Sequence, residues 1–153
     1  MYVTISRKRR KMKAEMKYTI LLLASFAFFA AEASSQCRAF TKRNCLPILE
    51  DYSQNDNYNA AVLIPGDAAE LDMAFYGGVN YRVVVCSHPV LGAVEFGLYD
   101  SQGNSIWENT DGSDHVDLSI ENTQQLSIRI SVPPSDAALI HEGCVSIMLG
   151  SKD

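Results

Sequence analysis

Phe75-Tyr-Gly-Gly-Val-Asn-Tyr-Arg-Val-Val-Val-Cys86, Ala93-Val-Glu-Phe-Gly-Leu-Tyr-Asp100 and Ser101-Gln-Gly-Asn-Ser-Ile-Trp107 are the runs whose reading decides the fold. β-Branched and aromatic residues fill the runs while Gly, Asn and Asp fill the gaps, as pleated strands and tight turns require on steric grounds. Read alone, the region is a β-meander. Further strand signals lie on either side, at Ala60–Ile64, Ala69–Tyr76, His115–Glu121, Gln124–Val132 and Cys144–Leu149. Pro65-Gly-Asp67, Gly77-Gly78 and Asp111-Gly-Ser-Asp114 punctuate them, and Pro133-Pro134 stops the penultimate run. Leu126-Ser-Ile-Arg-Ile-Ser-Val132 alternates apolar and polar residues, the mark of a strand with one buried and one wet face. About eight short strands without long helices between them predict an all-β, two-sheet antiparallel sandwich of jelly-roll or immunoglobulin-like type.

Ahead of the strands, Cys37, Phe40, Cys45, Ile48, Leu49 and Tyr52 recur at helical spacing, so residues 36–59 are expected to hold a short helix and a polar linker before a sandwich over 60–153. Pro47 divides the helical stretch, because a mid-helix proline loses a backbone hydrogen bond. Earlier still, Arg7-Lys-Arg-Arg-Lys11, Lys13 and Lys17 precede an apolar run from Tyr18 to Ala31 and the small residues of Ala31-Glu-Ala-Ser-Ser35. That order predicts a cleaved secretory signal over residues 1–35. The run is about 14 residues, against roughly 20 for a bilayer-spanning helix, so no stable membrane anchor is expected after cleavage. The expected location is secreted or periplasmic.

Loss of the leader changes the electrostatics. Seven of 13 Lys and Arg residues lie at or before Lys17, whereas only Glu15 and Glu32 of 18 acids precede Ser34, so the remainder carries 6 bases, 16 acids and a formal charge of −10. Such a surface repels nucleic acid and anionic headgroups. The four cysteines, Cys37, Cys45, Cys86 and Cys144, all fall in this remainder, and an even count in an exported chain points to disulfides. Three pairings are open, but Cys37 with Cys45 is disfavoured: on a helix they stand about 12 Å apart along the axis, too far to bond. Alternation places Cys86 on the face of Arg82 and Val84, and Cys144 on that of Ser146 and Met148, away from the main core. The helix is therefore expected to lie on an outer sheet surface, tied there by disulfides.

Motifs for chemistry are sparse. Glu95, with Asp72 or Asp100 as partner, would supply the two carboxylates of a glycosidase, but solvent-facing strand acids are the commoner case. Asp100, Asp111 and Asp114 offer oxygen ligands to calcium, yet sit where ordinary turns want Asp and Asn, and neither loop matches an EF-hand. Ser87-His88 lacks a nucleophile elbow, and His141-Glu142 lacks the second histidine of a zinc motif. No metal site or cofactor is expected beyond that calcium option. Tyr99 and Trp107 flank the Ser101–Asn104 turn and are the candidate ligand contacts for a protein or glycan.

The order Phe75-Tyr-Gly-Gly-Val-Asn-Tyr-Arg-Val-Val-Val-Cys86, Phe96-Gly-Leu-Tyr-Asp-Ser-Gln-Gly-Asn104 and Gly143-Cys-Val-Ser-Ile-Met-Leu-Gly150 resembles small exported proteins of Bacteroidetes-type bacteria. The middle is similar to bacterial pre-peptidase C-terminal domains, in which a strand ending Leu-Tyr-Asp precedes a Gly-containing turn. That resemblance implies a secreted β-sandwich and carries no catalytic residues. The N-terminal cysteine-bearing helix departs from its pattern. The expected function is a non-catalytic interaction or accessory module of the bacterial cell envelope, with a carbohydrate- or calcium-associated binding domain second and a small hydrolase third.

Overall fold

The structure, a computed structural model, describes residues 32–55 and 59–152. Residues 1–31 of the expected signal segment, 1–35, lie outside them, as do residues 56–58 of the polar linker and Asp153. Packing divides the chain into Met1–Ser35 and Gln36–Asp153, and the sandwich belongs to the second unit. Among the described residues, no helix is long and apolar enough to cross a membrane.

Nine described strands form two antiparallel sheets: β1 (Ser53–Gln54), β2 (Asn59–Leu63), β3 (Ala68–Phe75), β4 (Val79–Ser87), β5 (Glu95–Tyr99), β6 (Ser105–Glu108), β7 (His115–Ile120), β8 (Gln124–Ser131) and β9 (Gly143–Lys152). One sheet runs β1-β9-β4-β7, with β2 pairing the same edge of β9 as β1, and the other runs β3-β8-β5-β6. The two-sheet sandwich read from the alternation is the fold of this protein. β1 is the strand that the sequence concealed, since two polar residues carry no periodicity.

The meander reading is corrected. β3 lies in one sheet, β4 in the other and β5 back in the first, so only β5 and β6 pair as consecutive strands. Two crossings between sheets replace the hairpins. At the first, Gly78 adopts φ +81°, and a Cβ on Gly77 would come within 2.6 Å of the Glu121 carbonyl oxygen. Only glycine fits both demands. At the second, a 3-10 turn over Pro89–Leu91 carries the chain across while Leu91 plugs the core. Alternation reports which face of a strand is buried but not which strand lies beside it.

Between the sheets, Phe75, Tyr81, Val83, Leu98, Leu126, Ile128, Ile130 and Leu149 belong to a continuous core. β4 reads as an unbroken buried run, Tyr81 to Cys86, because both of its faces are covered. Its second cover is helix α1 (Glu32–Asn44) and the following 3-10 turn, Leu46–Leu49, which carries Pro47 near its start, so the helical stretch is divided just ahead of the proline. Cys45, Leu49, Val84, Cys86 and Met148 form a smaller core between this helical segment and the outer face of β4 and β9.

Candidate functional site

The two sheets differ in what covers their outer faces. On β9 and β4 the outward residues meet the helical segment. Cys37 is bonded to Cys144, with Cα atoms 5.4 Å apart, and the buried Thr41 hydroxyl lies 2.5 Å from that of Ser146. Arg82, only 8 % exposed, makes a bidentate pair with Asp117 (2.7 and 2.8 Å), donates to the Ile48 carbonyl and to Glu50, and lies over the Tyr52 ring. Asp117 first, then Glu50, raise the guanidinium further above its already high range, while Arg82 pulls the Asp117 carboxyl down. This face is structural: its charges are paired and its apolar residues packed.

The outer face of β3-β8-β5-β6 bears no such cover among the described residues. Alternation sends Leu126, Ile128 and Ile130 of β8 inward and leaves Gln125, Ser127, Arg129 and Ser131 outward. The strand register then fixes a transverse row. Glu70 stands opposite Arg129, Arg129 opposite Gly97, and Gly97 opposite Glu108. Asp72, Ser127 and Tyr99 form the next row. A groove of about 430 Å³ opens there, lined by Glu95, Tyr99, Glu108, Asn109, Arg129 and Ser131 among others. Gly97 sets its depth. A Cβ at that position would lie 3.0 Å from Glu108 Cγ, Tyr99 Cε2 and the Trp107 carbonyl oxygen. A second cavity of about 340 Å³, reaching Glu70, Asp72, Asp100 and Gln125, shares the Arg129 wall.

The polar groups of this face hold one another in place. Arg129 lies 4.4 Å over the Tyr99 ring and donates to Glu70 at 3.2 Å. Tyr99 donates its hydroxyl to Glu108 at 3.0 Å, and Ser127 donates to Glu70. Ser127 and then Arg129 hold the Glu70 carboxyl below its usual range, whereas the bond to Glu108 raises the Tyr99 phenol. Glu70, Asp72, Glu95, Asp100 and Glu108 therefore surround one guanidinium, and the face is anionic.

The sequence-derived candidates are distributed as follows. Tyr99 walls the groove, and Glu95 stands at its rim. Trp107 turns toward the core side of β6, its ring centroid 5.0 Å from that of Phe96. Asp100 accepts from the Asn104 side chain and from the Asn104 and Gln102 backbone N–H groups, which together lower its pKa; Asp111 accepts from Ser113, and Asp114 pairs with His115. Among the described residues, no three His, Cys, Asp or Glu side chains gather where a metal could be held. His88 accepts from the Val90 N–H as the cap of the 3-10 turn. Cys45 and Cys86 are thiols, both buried. Arg129, Glu70, Glu108 and Gly97 escaped the sequence reading. Arg129 alone had a signal, as the one charge within the apolar alternation of β8.

No family model and no curated protein matches the chain. Among solved structures, the fold is similar to that of Aeromonas hydrophila PliG, a periplasmic lysozyme inhibitor of g-type lysozyme. That match has TM-score 0.50 and 11 % identity, over 67 % of this chain and 90 % of that one. The Salmonella Typhimurium PliG aligns over 67 % of this chain and 92 % of its own, with 12 % identity and TM-score 0.43. At such identity the likeness is one of fold.

Proposed function

We propose that this chain is an exported, non-catalytic interaction module of the cell envelope that uses the open face of β3-β8-β5-β6 to bind a protein carrying basic groups. One observation carries the reading: of the two sheets, one has the outer face of its central strands β4 and β9 covered by the helical segment, and the other presents a grooved, anionic, preorganised one. Opposite charge steers association and selects partners, and the formal charge of −10 beyond the leader favours a cationic one. Export is supported by the order of the N-terminal residues and by the Cys37–Cys144 bond.

Other readings fit the face less well. A glycosidase needs a carboxyl with raised pKa, yet Asp100, one of the two partners considered for Glu95, is held below the usual range. A stacking platform for sugar needs an open ring face, yet Arg129 lies over Tyr99 and Trp107 turns to Phe96. The Asp100 oxygens that calcium would need are engaged by their own turn.

A g-type lysozyme is the first partner to test, since the similar fold above belongs to inhibitors named for it. Biolayer interferometry of the full chain against that enzyme and against panels of basic and acidic proteins, at low and high salt, supplies the measurement. Salt-sensitive binding to a basic protein is expected. The triple variant E70Q/D72N/E108Q should lose about tenfold or more in association rate, and R43Q on α1 should not. The proposal fails if no basic protein binds, or if the triple variant binds as the wild type does.

A further inference from the structure

Helix α1 lays one stripe along the sheet. Cys37, Thr41 and Cys45 succeed one another at four-residue spacing, and the Cys45 N–H still donates to the Thr41 carbonyl, so the helical turn continues through Cys45. Four helical residues rise about 6 Å, close to the roughly 6.6 Å covered by two residues of a strand. The stripe and the sheet therefore step together: Cys37 meets Cys144, and Thr41 meets Ser146 two residues on. Cys86 is the residue paired with Ser146 across the β4–β9 ladder. The third step of the stripe brings Cys45 into the same small core as Cys86, beside Val84, Leu49 and Met148. Cys45 is 0 % exposed and Cys86 is 7 % exposed, and the two are free thiols within that one buried cluster.

We propose that Cys45 and Cys86 are an oxidation site: a second cross-link, made by thiol–disulfide exchange, that fastens the end of α1 to β4. The co-reactant is a disulfide-bearing oxidant, a dithiol oxidoreductase or a low-molecular-weight disulfide. One cysteine, as thiolate, attacks a sulfur of the oxidant's disulfide and releases one oxidant thiolate, leaving a mixed disulfide. The other cysteine, also deprotonated, attacks the sulfur of the first and expels the second oxidant thiolate. Two thiol protons and two electrons leave the protein, one S–S bond forms, and the oxidant is reduced to two thiols. Contact with Cys45, and then burial, push the Cys86 thiol well above its ordinary range in the folded protein. Exchange therefore belongs to the stage before α1 docks, when both sulfurs are accessible and ionise normally. The inference is independent of what the open face binds.

The test uses the full chain, refolded from the reduced state in a glutathione buffer rich in oxidised glutathione, acid-quenched, denatured and alkylated with a maleimide. The expected product carries no adduct, and a non-reducing digest yields Cys37–Cys144 and Cys45–Cys86 peptides. Adducts on Cys45 and Cys86 beside a closed Cys37–Cys144 bond overturn the proposal; so do a glutathione adduct on either residue, any other pairing, or four free thiols. C37A/C144A, which retains only the second pair, should also emerge without adducts. Adducts on that variant overturn the proposal unless it elutes as an unfolded chain, in which case the wild-type digest decides.

Discussion

Removing the Cys37–Cys144 bond tests whether α1 is held chiefly by a covalent tie or by packing. The bond closes a loop across a sequence separation of 107, nearly the whole of the Gln36–Asp153 unit. With about 108 residues in the loop, the chain-entropy relation gives an unfolded-state restriction of about 16 cal/mol/K, or ~4.8 kcal/mol at 25 °C. Partly compact denatured chains reduce that, and native disulfides of small exported domains measure about 2–5 kcal/mol. At about 2.1 cal/mol/K per residue, this unit unfolds with an entropy of roughly 250 cal/mol/K, so each kcal/mol moves Tm by about 4 °C. To isolate one bond, C45A/C86A is compared with the quadruple alanine variant by thermal and guanidinium unfolding, read by circular dichroism and by Trp107 fluorescence. Tm should fall by about 8–19 °C, and m should rise because the untied chain exposes more surface on unfolding. A fall below about 2 °C with m unchanged would refute the reasoning, placing the anchoring of α1 in Leu49, Met148 and the Thr41–Ser146 pair.

Other consequences can be checked one residue at a time. D117N strips Arg82 of its bidentate partner while the guanidinium stays buried, and should cost about 1–3 kcal/mol in chemical denaturation. R82M should cost less, since the Asp117 and Glu50 side chains, 47 % and 68 % exposed, remain hydrated; the opposite order would refute the assignment of burial to Arg82. The lowered pKa of Asp117 has a definite sign: the unfolded chain binds its proton first, so this stabilisation is present above the unfolded carboxylate pKa of about 4 and is lost as pH falls through the folded value. Stability curves of wild type and D117N should therefore converge in acid, and parallel curves would contradict the linkage. T41V should cost about 1–3 kcal/mol by stranding the buried Ser146 hydroxyl, whereas T41V/S146A should recover much of it in a double-mutant cycle. G97A, whose Cβ would press on Glu108 Cγ, Tyr99 Cε2 and the Trp107 carbonyl oxygen and shift the groove wall, should weaken partner binding and cost about 1–3 kcal/mol, a Tm fall of about 4–12 °C; undiminished binding would remove the groove from the interface.

Which parts of this molecule were legible in the sequence follows from what periodicity encodes. The alternation of β8 fixed its inner Leu126, Ile128 and Ile130, and helical spacing set Cys37 and Cys45 on one face, because both properties are local. Pairing is not local. Val79–Ser87 and Glu95–Tyr99 look like neighbours in a meander, yet β4 pairs with β7 and β9, and β5 with β6 and β8. The open face was illegible for the same reason: Glu70, Arg129, Gly97 and Glu108 come from four strands, and register alone makes them a row. Trp107 drew notice as a large aromatic beside a turn, but its inward side of β6 depends on the bulge between Leu98 and Tyr99, which no spacing rule marks.

The position of β9 bears on how the protein is made. β9 is the last of the described strands, yet it lies inside its sheet, with β1 and β2 on one edge and β4 on the other. While the ribosome is still synthesising the segment before Gly143, β1, β2 and one edge of β4 have no partner, and the landing site for α1 is half built. Nascent chains must therefore keep these strands apart, by chaperone or by delay, until nearly all of the unit has emerged.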